Sequence, residues 1–203
     1  MTPGQAPTTQ AFSLSSLDVF KSGGGFPSDY PANVRRFYSP YDQVHAAFKA
    51  LVASATESLL CSMYGFDDPE LAVIILSKAQ DPAIFVQINL DSSQAAGQAE
   101  VPLVKELQAC PSTRVAIGQS EDKRINHLKM TVVDGLYTLS GSTNWSADGE
   151  AKQNNECSIH MDRVIAHEAT TILNKEHQVM LTQMAAKEPS PYQPAAVHGS
   201  NIS

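Results

Sequence analysis

Four side chains between positions 127 and 144 could together handle a phosphate: His127, Lys129, Ser142 and Asn144. A neutral imidazole offers a nucleophilic nitrogen, and an ammonium holds an anion. A hydroxyl and a carboxamide add hydrogen-bond donors. Such a set suits an oxyanion. It does not suit a divalent metal, because no carboxylate joins the group from this segment and hard cations collect oxygen ligands.

What would gather these residues is a hairpin. Asp134-Gly135 between apolar runs is a strong turn signal. A two-residue loop pairs Val133 with Leu136, Val132 with Tyr137, and so on out to His127 with Ser142. Side chains alternate with period 2. One face is then Leu128, Met130, Val132, Tyr137 and Leu139. The other is His127, Lys129, Thr131, Thr138, Ser140 and Ser142, with Asn144 next in line. A three-residue loop would pair Val132 with Thr138 and mix the faces, so the sorting favours the shorter turn. In that register Asp134 lies roughly 20 Å from His127, at about 3.3 Å per residue, and reads as a turn-capping, structural residue.

The surrounding elements alternate. "NVRRFYS" reads as a strand. Ser39 offers a helix N-cap with Pro40 at the first helical position, followed by Val44, Phe48, Leu51, Val52 and Ala55 at helical spacing. "SLLCSMYGF" is a nearly unbroken apolar strand, and Asp68-Pro69 starts a second helix carrying Leu71, Ile74 and Ile75. "AIFVQINL" is a strand, 95–109 a weaker helix, and "TRVAIG" a strand. After the hairpin, "NECSIHM" is another strand and about 163–184 a final helix. Strand–helix alternation implies crossovers and a mixed, largely parallel β-sheet with helices on both faces. No internal repeat is visible. Residues 1–32 read as a flexible or draped segment in which "FSLSSLDVF" could dock on the body, 33–186 as one domain, and 187–203 as a Pro-rich tail.

The pattern His127-x-Lys129, Asp134, then Gly141-Ser142-x-Asn144, resembles the HKD signature of the phospholipase D superfamily. The resemblance covers about 33–184 and implies that family's α/β/α sandwich and metal-free phosphodiester transfer. It implies that His127 attacks phosphorus to form a phosphohistidine and that Lys129 and Asn144 hold non-bridging oxygens. Ser142 would support the site, Glu156 orient the histidine, and Asp134 and Gly141 serve structure. The family's site uses two such motifs, and this chain has one H-x-K. The expectation is therefore a homodimer sharing one active site, with no cofactor and no metal. Small single-motif members are mostly nucleases, so DNA or RNA is the expected substrate. The alternatives are a phospholipase D-type lipid or small-phosphodiester hydrolase and a catalytically silent binding module.

Composition bounds these readings. The chain has 203 residues, 42% hydrophobic, with a net charge of -7, which excludes coating nucleic acid by bulk charge. Lys123, Arg124 and Lys152 could steer phosphate locally, although Glu121, Asp122, Asp148 and Glu150 lie alongside. Trp145 could stack on a base or lipid edge, or pack in the core or a dimer interface. Three widely spaced cysteines form no zinc pattern and read as buried thiols. No apolar run approaches the ~20 residues of a membrane span, so stable membrane insertion is not expected. No secretory signal is visible, which favours a cytoplasmic location.

Overall fold

The structure, a computed structural model, describes residues 12–187; the expected Pro-rich tail after Lys187 lies outside the described residues. The strands are β1 (Val34–Ser39), β2 (Ser58–Met63), β3 (Phe85–Asp91), β4 (Thr113–Gly118), β5 (Lys129–Val133), β6 (Tyr137–Gly141) and β7 (Asn155–Met161). The helices are α1 (Val44–Ala53), α2 (Pro69–Ala79), α3 (Glu100–Ala109), α4 (Ala147–Ala151) and α5 (Arg163–Lys187). A 3₁₀ segment, Leu14–Phe20, docks on the body through the buried Leu14 and Leu17.

All strands join one sheet in the order β1-β7-β6-β5-β2-β3-β4. The mixed sheet matches expectation, but its balance differs. Only β2–β3 and β3–β4 are parallel, and the other four ladders are antiparallel. After β4 the chain returns as a hairpin to the far side of β2, and β1 pairs last with β7, so crossovers serve only one half of the sheet.

Period 2 in β2 sends Leu59, Cys61 and Met63 into the large core with Val44, Phe48, Leu51 and Val52 of α1. Leu60 points the other way, to Val132, Ala166, Ala169 and Leu173 under α5. This two-sided burial explains the continuous apolar run. Asp68 caps α2 by accepting from the Glu70 and Leu71 N–H groups. Ser39 does not cap α1. Residues 40–43 turn first, and the Ser39 hydroxyl instead donates to the Gly149 and Gln153 carbonyls.

The hairpin register also differs from expectation. Val133 pairs with Tyr137 and Val132 with Thr138 across a three-residue loop. Asp134 and Gly135 are both left-handed, at φ 52° and 56°. Lys129, Thr131, Val133, Tyr137 and Leu139 thus share the face toward α1, and Met130, Val132, Thr138 and Ser140 the face toward α5. Alternation of polar and apolar residues does not fix this register, because neither face of the hairpin is wholly solvated. Helices cover both faces here, so each needs apolar residues near the turn.

Candidate active site

Three of the residues expected to handle phosphate, His127, Lys129 and Asn144, lie where β2 ends and β5 begins. Lys129, first in β5, pairs with Met63, last in β2, and Tyr64 and Gly65 follow immediately. The Tyr64 ring packs edge-on against the His127 ring, centroids 4.8 Å apart. The Lys129 Nζ sits over the same ring at 4.7 Å and donates to the His127 carbonyl at 3.0 Å. Asn144 reaches the group from beyond β6, its Oδ1 accepting from the Gly65 N–H at 3.2 Å. That bond leaves its NH₂ group to donate elsewhere. Gly65 permits this approach, since a Cβ there would lie 3.3 Å from the Asn144 Cγ.

His127 is exposed while Lys129 is buried. Burial lowers the Lys129 pKa, and the negative charge of Asp91 opposes that effect. Asp91 also accepts from the Asn126 N–H at 2.6 Å, and the Asn126 side chain donates to the Ser62 hydroxyl at 2.8 Å. The residue before His127 is therefore pinned at two points. Tyr64, Asp91 and Asn126 escaped the sequence reading. Tyr64 looked like the end of an apolar strand, and Asp91 and Asn126 act through tertiary contacts that no local spacing reveals.

Ser142 and Glu156 keep different company. The Ser142 Oγ accepts from the Glu156 N–H at 3.1 Å and bonds to the Asn155 Oδ1 at 2.9 Å. The Glu156 carboxylate takes the Ser158 hydroxyl at 2.5 Å and the Arg36 Nε at 3.0 Å. Within one chain it does not orient His127; its carboxylate projects on the sheet face that carries Arg36 and Ser158. Gly141 lets β6 close on β7, since a Cβ there would meet the Glu156 carbonyl at 2.2 Å.

Asp134 does more than cap its turn. Its carboxylate accepts from the backbone N–H groups of Thr56, Glu57 and Ser58 and from the Thr56 hydroxyl, tying the hairpin to the start of β2. Burial works to raise its pKa, but the Ser58 and Glu57 donors outweigh it and hold the carboxyl below its usual range.

Lys123 and Arg124 are exposed in the loop that leads to His127. Trp145 is not available to substrate or partner. It is 1% exposed, stacked edge-on with Phe66 at 5.5 Å, and its backbone bridges to Gly65 and Asp67. The expectations of base stacking and of an interface anchor are therefore corrected: the residue is core. One cluster at metal-ligand distances exists among the described residues, His45, Asp68 and Glu150, and none of the three belongs to the hairpin group.

A seven-stranded mixed sheet holds a histidine, a lysine and an asparagine near the ends of β2 and β5. The family model described as cardiolipin synthase, PLD-like domain, matches residues 48–177. The chain belongs to this phospholipase D-like family and is a phosphodiesterase of that family. Among solved structures, Nuc from Salmonella typhimurium, a phospholipase D family member, aligns with TM-score 0.63 and 20% identity, over 74% of this chain and 94% of that one. NucT from Helicobacter pylori aligns with TM-score 0.63 and 24% identity, over 73% and 95%. Phosphatidylserine synthase from Haemophilus influenzae aligns with TM-score 0.52 and 14% identity, over 74% of this chain and 38% of that one. At these identities the likeness is one of fold. No curated protein sequence matches the chain. Among the described residues, no helix is long and apolar enough to cross a membrane.

Proposed function

We propose that the chain is a metal-independent endonuclease acting on DNA or RNA through a phosphohistidine, in an active site shared by two copies. The observation that carries this reading is the convergence of His127, Lys129 and Asn144 on Tyr64 and Gly65 in a chain with a single H-x-K. A His127 nitrogen attacks phosphorus, forming the P–N bond as the P–O bond to the leaving oxygen breaks. His127 of the partner subunit gives that oxygen a proton. The same group then takes a proton from water, whose oxygen displaces His127 and releases the phosphate. Lys129 and the Asn144 NH₂ hold the non-bridging oxygens, which gain charge in each step. A role for Glu156 on the histidine runs across the twofold axis, from one chain's Glu156 to the partner's His127, because within its own chain Glu156 binds Arg36 and Ser158.

Likeness of fold along nearly the whole of Nuc and NucT supports the nuclease reading. The chain aligns over nearly the full length of Nuc and NucT but over little more than a third of the phosphatidylserine synthase. Lys123 and Arg124, exposed beside His127, supply local positive charge to an otherwise acidic chain. The test is incubation of purified protein with DNA, RNA and phosphatidylcholine in excess EDTA. Cleavage of a nucleic acid is expected. Turnover of lipid alone would establish the lipid-hydrolase reading, and inertness toward all three would favour a silent binding module.

A further inference from the structure

A second group of titratable side chains lies where α1, the start of α2 and α4 come together. His45 stands in the first turn of α1, Asp68 caps α2, and Glu150 belongs to α4. The His45 Nδ1 lies 2.5 Å from the Glu150 Oε2 and 2.9 Å from the Asp68 Oδ2. One donor atom from each residue falls within 4.8 Å of the others. Asp68 uses Oδ1 for its helix cap, so Oδ2 is free to face the group. Glu150 is 1% exposed, and its Oε1 has no hydrogen-bond partner. Both acids and His45 line a cavity of about 290 Å³ that Asp67 and Glu70 also border. The nearby cation Lys49 is engaged with Glu70.

A buried carboxylate oxygen without a donor is costly, and here it sits among other acids with only one imidazole to answer them. We propose that His45, Asp68 and Glu150 bind a first-row transition dication of the zinc type, at a site separate from the phosphodiester-handling group. The donor set selects the ion. One imidazole nitrogen and two carboxylate oxygens are too few for calcium, which takes six to eight oxygens, and imidazole is a poor partner for magnesium. Three protein ligands with a fourth position open to a cavity is a familiar zinc arrangement. Metal–ligand bonds of about 2.0–2.2 Å in a tetrahedron separate the donors by about 3.3–3.6 Å, so His45 must draw back from the two acids by about 1 Å or less. The Asp67 and Asp68 N–H groups bond to the Trp145 carbonyl, and α4 starts two residues after Trp145. The ion would thereby clamp the segment that carries Asn144 without entering the reaction.

The test uses the whole chain, stripped with EDTA and freed of chelator, and reads binding and melting rather than activity. Titration with Zn²⁺ should show one site per chain and a raised melting temperature, with Mg²⁺ giving neither. Asp68→Asn keeps the helix cap, because its amide oxygen still accepts from Glu70 and Leu71, but should weaken Zn²⁺ binding at least tenfold. Glu150→Gln should do the same. His167→Gln, on the exposed face of α5, should leave binding unchanged. Absence of stoichiometric Zn²⁺ binding, or equal affinity in wild type and Asp68→Asn, would overturn the assignment. Neither outcome bears on the nuclease reading, whose assay is run in chelator.

Discussion

At the scale of single residues, two features distinguish the site from a solvated strand end. Lys129 is an ammonium with little water around it, poised on an aromatic face. Its charge is therefore little screened and acts strongly on a phosphate beside it. Lys129→Ala should lower turnover by about 10²–10³-fold, the range for losing a preorganised charge, with rate constants and melting curves measured on the same preparation. His127 and Asn144 were singled out by spacing alone, and the structure sets His127 against Tyr64 and Lys129 and Asn144 against Gly65. Tyr64, which supports the histidine and the lysine together, was not legible, because an aromatic at the end of an apolar run reads as core. Glu156 shows the opposite failure. Its position fits the family pattern, yet its contacts within one chain are to Arg36 and Ser158.

At the scale of elements, two acids away from the hairpin's open end bear on stability, the half-buried Asp134 in the turn and the buried Glu100 at the start of α3. Strands and helices announced themselves through periodicity, and the Asp68–Pro69 helix start lies where its cap chemistry places it. The hairpin register did not, because alternation fixes register only when one face is wet. A carboxylate that collects three backbone donors from Thr56, Glu57 and Ser58 was beyond any local pattern. Asp134→Ala should destabilise the fold by about 1–3 kcal/mol by stranding those donors, without changing turnover in the fraction that remains folded; denaturant unfolding and an activity assay check both halves. Glu100 is a second case. Burial pushes its carboxyl up to about 7, against the hydrogen bond from the Phe66 N–H and with the help of the Asp67 and Asp91 charges. In the unfolded chain it ionises near its usual value, so between about pH 4.5 and 7 the folded state holds the extra proton. Stability from this group therefore falls as pH rises through that window. Glu100→Gln keeps the acceptor for Phe66 and removes the charge. It should leave stability unchanged near pH 4 and raise it above pH 7 by up to about 3 kcal/mol, at about 1.4 kcal/mol per pH unit of displacement. A mutant that gained nothing between melts at pH 4 and pH 8 would show that the buried acid is not strained.

At the scale of the whole molecule, the chain carries one H-x-K motif, and the proposed two-step transfer asks for a second histidine from another copy. A closed pair is isologous, so the same surface meets its own copy. With Trp145 sealed in the core, the proposed pairing surface would be built from the exposed residues near His127 and not from that ring. Light scattering should show a dimer at assay concentrations. Mixing wild type with excess His127→Ala chains, under conditions that allow exchange, should lower activity per wild-type chain; no loss despite exchange would mean that each chain holds a complete site. The proposed cation group at His45, Asp68 and Glu150 was invisible in the sequence because its members come from α1, the cap of α2 and α4, with no ligand spacing between them. The central claim, that His127 cleaves phosphodiesters without a metal, is tested most directly by one assay. Cleavage of a labelled oligonucleotide is followed in excess EDTA for wild type and His127→Ala, with melting recorded for both. The exposed position of His127 predicts a stability change within about 0.5 kcal/mol. Wild type should cut, and the mutant should be slower by at least about a thousandfold. A folded His127→Ala protein that still cuts, or a wild-type protein that cuts only after Mg²⁺ or Mn²⁺ is returned, would contradict the account.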